Sequence, residues 1–75
     1  MTSDEAMAKI AETTAARMPG CTTKSEMLWV GSRWWARVEV FGRSGRLAGE
    51  HTMSSATPGS ASAALARALG VELGS

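Results

Sequence analysis

Between Arg33 and Phe41 polarity alternates with a period of two. Trp34, Ala36, Val38 and Val40 fall on one side of an extended chain, and Arg33, Trp35, Arg37, Glu39 and Phe41 on the other, the pattern of a strand with one buried face. Turn residues set its neighbours, because a hairpin loop fixes which residues face each other. Gly31-Ser32 suits a two-residue loop with glycine at its first, positive-φ position, pairing Val30 with Arg33, Trp29 with Trp34, Met27 with Ala36 and Glu26 with Arg37. Symmetric closure of Gly42-Arg43-Ser44-Gly45 pairs Phe41 with Arg46, Val40 with Leu47, Val38 with Gly49, Arg37 with Glu50 and Trp35 with Thr52. These registers put Glu26, Arg37 and Glu50 in one row of opposite charges. They also collect Met27, Trp29, Trp34, Ala36, Val38, Val40, Leu47 and Met53 on the core face, with His51 at its edge. Strands are expected over 25–30, 33–41 and 46–53, with 21–24 as a polar connector.

Outside this region the period becomes helical. Thr2 followed by Glu5 forms a capping box, Asp4 and Glu5 suit the positive end of a helix and Arg17 the negative end, so a helix is expected over 2–18, stopped by Pro19-Gly20. Met7, Ile10, Ala11, Thr14 and Met18 form its apolar stripe. A second helix is expected over 58–69, with Thr57 as N-cap, Pro58 at the first position and Gly70 as C-cap. Ala61, Ala64, Leu65, Ala68 and Leu69 give it a flat face for the sheet, and Val71 and Leu73 fold back. The fold class is α+β: a single domain over 1–75, a two-layer αβββα arrangement of a three-stranded antiparallel meander with both helices on one face.

Composition narrows the function. Seventy-five residues with 44% apolar content are near the size at which one core is only just sufficient. A formal charge of +1, with few lysines, gives no general attraction to nucleic acid or to an anionic membrane. One cysteine, Cys21, excludes an internal disulfide and a multi-cysteine zinc site. No apolar run approaches the roughly 20 residues that span a bilayer. The acidic start TSDEAMAK is unlike the basic start of a signal peptide, and a cytoplasmic location is expected.

No catalytic or metal-binding constellation emerges, and no enzyme activity or cofactor is expected. Cys21 and His51 lack a third, orienting group. The serine-rich stretch 54–60 has no partner base, and GRSGR (42–46) lacks the strand-to-helix context of a phosphate loop. The distinctive feature is Trp35, whose parity sets it outward with Leu28, Val30 and Phe41, among Arg33, Arg37, Arg46 and Glu39. Tryptophan and arginine at an exposed apolar patch are the composition of a binding hot spot. The expected partner-binding set is therefore Leu28, Arg33, Trp35, Arg37, Phe41, Arg43 and Arg46, facing a protein partner that includes a second copy as an option.

The order of elements, with an alanine-rich second helix after the third strand, resembles the αβββα double-stranded-RNA-binding domain. That resemblance implies an RNA-contacting module. Where the family carries a lysine cluster, at the start of the second helix, this chain has Ser54, Ser55, Ala56, Thr57, Pro58, Gly59 and Ser60. Nucleic acid would have to be met instead through Arg33, Arg37, Arg43, Arg46 and Trp35. A chain of this size, with a short charged hairpin before the small-residue segment SSATPGSASAALARAL, also resembles phage and mobile-element proteins, among them anti-CRISPR inhibitors. This second resemblance implies a non-enzymatic inhibitor that blocks a surface of a larger complex in the host cytoplasm. Such binding is the leading expectation, with the RNA-binding-like domain as the alternative.

Overall fold

The elements follow each other as α1 (Ser3–Arg17), β1 (Thr22–Val30), β2 (Arg33–Phe41), β3 (Leu47–Ser55) and α2 (Pro58–Leu69) in a computed structural model that describes residues 1–74. The strands form one antiparallel sheet in the order β1-β2-β3. Met7 and Ile10 of α1 and Ala61, Leu65 and Ala66 of α2 form one buried cluster with Ala36 and Val38 of β2. Both helices thus cover the even-numbered side of β2. The odd-numbered side has no helix over it.

Local chemistry fixes the helix ends. Thr2 stays extended, its hydroxyl accepts the Glu5 amide and the Glu5 carboxylate accepts the Thr2 amide, both at 3.2 Å. Thr57 caps α2 through the Ser60 amide, at 3.1 Å, with Pro58 following where no amide donor is required. At its other end Gly70 is left-handed (φ 65°), and the Val71 amide donates back to the Ala66 carbonyl at 2.8 Å. This closing turn carries Val71 into the core. Arg17 donates to the carbonyls of Leu69 and Gly70, at 2.6 and 2.8 Å, so the last turn of α1 satisfies the orphan acceptors of α2.

Several expectations are corrected. The strand β1 begins at Thr22, because the β-branched pair Thr22 and Thr23 continues the ladder opposite Phe41 and Val40. The Thr23 hydroxyl also donates to the Ala11 carbonyl at 2.7 Å. Met18 lies past the end of α1 and is exposed. The buried face of α2 is rotated to Ala61, Ser62, Leu65 and Ala66, leaving Ala68 exposed. Ser62 is tolerated there because its hydroxyl donates to the Gly59 carbonyl at 2.9 Å.

The first hairpin has the expected register, Glu26 opposite Arg37 and Trp29 opposite Trp34. Its loop places both Gly31 (φ 60°) and Ser32 (φ 62°) in the left-handed region, a type I′ turn whose twist matches the strands. Serine is strained there. Ser32→Gly should therefore stabilise the domain by about 0.5–1 kcal/mol, read as a higher urea midpoint. An unchanged or lower midpoint would show that the turn carries no such strain.

The second hairpin departs from the symmetric closure. The Gly42 amide donates to the Arg46 carbonyl and the Gly45 amide to the Gly42 carbonyl, both at 2.9 Å, with Gly45 at φ 83°. That is a three-residue loop ending in a left-handed glycine bulge. It shifts the register by one, so Phe41 faces Leu47 and Leu47 lies exposed on the outer side. An irregularity at Ala48 then adds a second residue, and Val40 faces Gly49. Side-chain parity returns beyond it, but the partners have moved by two. Arg37 now faces Thr52, and Glu50 faces Glu39, so the row of three alternating charges does not form.

Candidate interaction surface on the first hairpin

The side chain of Trp35 sits on the outer sheet face opposite Leu28, and its indole N–H donates to the Val30 carbonyl at 3.0 Å. This bond fixes the ring and satisfies its polar atom, and Trp35 and Leu28 are half-buried where an exposed patch was expected, Val30 alone of the three being exposed. Leu28, Val30 and Trp35 border an open depression of about 370 Å³, closed on its polar side by Arg37, Glu50 and Thr52. Val71 and Leu73 of the carboxyl tail both join the core on the helix side, so the tail does not cover this depression. A larger hollow of about 500 Å³ lies between the starts of the two helices, lined mostly by small residues with Met1 and Leu73, and Glu5, its one titratable side chain, is engaged in the α1 cap.

The charge beside the depression is balanced. Arg37 donates to Glu26 at 2.9 Å, and its Nε, buried with no hydrogen-bond partner, lies 3.9 Å from Glu39. The hydrogen bond to Glu26, with Glu39 and Glu50 nearby, raises the Arg37 pKa and keeps it charged. The same bond holds the Glu26 carboxyl below its ordinary value of 4.5, against the opposing effect of burial. A lowered folded-state pKa means the unfolded chain binds the proton more readily. The contribution of Glu26 is then complete above 4.5 and is lost as the pH falls through its lower folded-state value. Wild-type stability should drop between neutral and strongly acidic pH by more than that of Glu26→Gln, as read from urea midpoints. Equal drops would show that the ion pair adds nothing to acid sensitivity.

Of the residues expected to bind a partner, the structure brings Leu28, Trp35 and Arg37 together. Arg33 lies at the rim, its Nε donating to the Ser54 hydroxyl at 3.2 Å. Phe41 shares the outer face but stands six residues along β2 from Trp35, about 20 Å away, beyond the charged band of Arg37 and Glu39. Arg43 and Arg46 lie at that far end too. Arg43 folds back over the turn after α1, where a Cβ on Gly20 would lie 2.6 Å from its Nε.

A second apolar cluster occupies the helix-bearing face of the same hairpin, where a continuous core was expected. Trp29 is 57% exposed, its ring tilted against the half-buried Trp34 at 5.2 Å between centroids, with Met53 also exposed on that face. His51 is exposed as well. Lengths in the sequence carry the reason. The twelve residues of α2 span about 18 Å, whereas nine-residue strands reach about 30 Å, so one end of the sheet stays bare.

Cys21 and His51 do not meet in the fold. The register places Cys21 near the start of β1 and His51 on β3, two strands across and several residues along, far beyond hydrogen-bond reach. Among the described residues no group of three or more His, Cys, Asp or Glu is placed to hold a metal. No described helix is long and apolar enough to cross a membrane. No protein family, curated protein or solved structure matches this chain.

Proposed function

We propose that this chain is a non-enzymatic protein-binding module whose working surface is the outer face of the first hairpin, centred on Trp35. The observation that carries the reading is the indole of Trp35, held by its bond to the Val30 carbonyl beside Leu28 and Val30 on a sheet face that no helix covers. A preorganised aromatic side chain in a concave apolar setting binds with little ordering cost. Arg37 is largely neutralised by Glu26, and Arg43 and Arg46 lie at the far end of the sheet. The cations are therefore too dispersed to release many counterions from a phosphate backbone, which favours a protein over a nucleic acid. The resemblance to phage-encoded inhibitors of the anti-CRISPR type points to the same mode, occupation of a surface on a larger complex in a host cytoplasm.

Affinity capture from host lysate, with Trp35→Ala as the comparison arm, tests the proposal. A protein retained by the wild type and lost by the variant supports it. Double-stranded RNA bound at low salt, with affinity falling steeply as salt is added, would overturn it in favour of the nucleic-acid reading.

A further inference from the structure

The strand β3 is the outer strand of the sheet, hydrogen-bonded on one side only, and most of its nine side chains are exposed. It has neither proline nor lysine, the usual obstacles to pairing at an open edge. The opposite edge, β1, carries the exposed Lys24 at its third position and is tied to α1 through Thr23.

Two charges on β3 and beside it have no ion-pair partner among the described residues, Glu50 feeling Arg37 only from beyond ion-pair distance. Glu50 stands directly opposite Glu39, an unfavourable cross-strand pair. Arg33 reaches to the Ser54 hydroxyl and has no carboxylate within ion-pair distance among the described residues. The irregularity between Val40 and Phe41 displaces Ala48, leaving a regular stretch over 49–55 whose centre is Thr52. Antiparallel pairing of this stretch with itself about Thr52 sets Glu50 of one copy opposite Ser54 of the other, where Arg33 already lies. Symmetry makes the contact twice. On the other face His51 comes to lie over Met53, which is 37% exposed in the single chain. Shifting the axis to His51 would set Glu50 opposite Thr52 and move it away from Arg33.

We infer that two copies of this chain pair their β3 strands antiparallel about a two-fold axis through Thr52, with Glu50 of each copy paired to Arg33 of the other. The product is one six-stranded sheet with all four helices on one face, a closed isologous dimer. The dimer seam borders the depression of the first hairpin, whose polar side Glu50 and Thr52 form, but the inference does not rest on which partner that depression takes.

Sedimentation velocity on the full chain at about 100 µM and low salt tests it, the monomer being 7.8 kDa. The wild type should sediment as a dimer. Glu50→Arg and Arg33→Glu should each weaken the dimer about tenfold or more, since each turns two attractive pairs into repulsive ones. The double variant Glu50→Arg/Arg33→Glu should recover wild-type affinity to within about threefold. At a concentration where the wild type is monomeric, Glu50→Arg should still unfold cooperatively, since Glu50 is exposed and outside the buried cluster, so its weakened dimer does not come from a lost fold. A monomeric wild type, single variants that keep full dimer affinity, or a double variant that stays weak would each overturn the inference. Dissociation by Trp35→Ala but not by the charge variants would do the same, because it would place self-association on the outer sheet face.

Discussion

Leu65→Ala is expected to remove about 2–5 kcal/mol of stability, the usual cost of emptying a fully buried leucine site. Leu65 has no exposed surface and joins Ile10, Ala36 and Val38 in the buried cluster between the helices and β2. At roughly 0.05–0.15 kcal/mol per residue, a domain of this length has about 4–11 kcal/mol in total, so the loss should unfold a large share of molecules under mild urea. Urea titration followed by circular dichroism measures it. Trp29→Ala should cost about 1 kcal/mol, because the ring is mostly exposed and loses chiefly its contact with Trp34. Tolerance of Leu65→Ala together with unfolding by Trp29→Ala would mean the core lies under the hairpin end and not between the helices and β2.

The second large effect is on binding. Trp35→Ala should weaken the complex with a captured partner by about 2 kcal/mol, roughly 30-fold, as removal of a central aromatic anchor does. It should leave the fold intact, since Trp35 lies outside the buried cluster on the helix-free face. Arg43→Glu is the informative comparison. Arg43 lies against Gly20 at the other end of the sheet, so its reversal should change affinity by less than about threefold through long-range steering alone.

Most of the fold was legible where one residue type has one conformational use. Thr57-Pro58 and Gly70 mark the ends of α2, and Thr2 with Glu5 the start of α1. Gly31-Ser32 sets the first hairpin, though serine in a left-handed position disguised the turn type. The second hairpin was misread because Gly42 and Gly45 both suit a turn. Only the backbone decides that Gly45 alone is left-handed and that Ala48 is displaced from the ladder. Those two one-residue shifts cancel in parity and add in register, which explains why Met53 kept its face while Glu50 lost Arg37. Trp35 was placed outward by alternation alone. Trp29 was placed with the core because alternation says which face a side chain takes, not whether a helix is long enough to cover it.

Titration calorimetry of the captured partner against the wild type, Trp35→Ala and Arg43→Glu is the most direct measure of whether the outer face of the first hairpin is the working surface. The account predicts a roughly 30-fold weaker complex for Trp35→Ala, near-wild-type affinity for Arg43→Glu and unchanged thermal unfolding for both. Full affinity of the Trp35→Ala variant, with the fold intact, would contradict it and move the interface to the helices or to the Trp29 cluster.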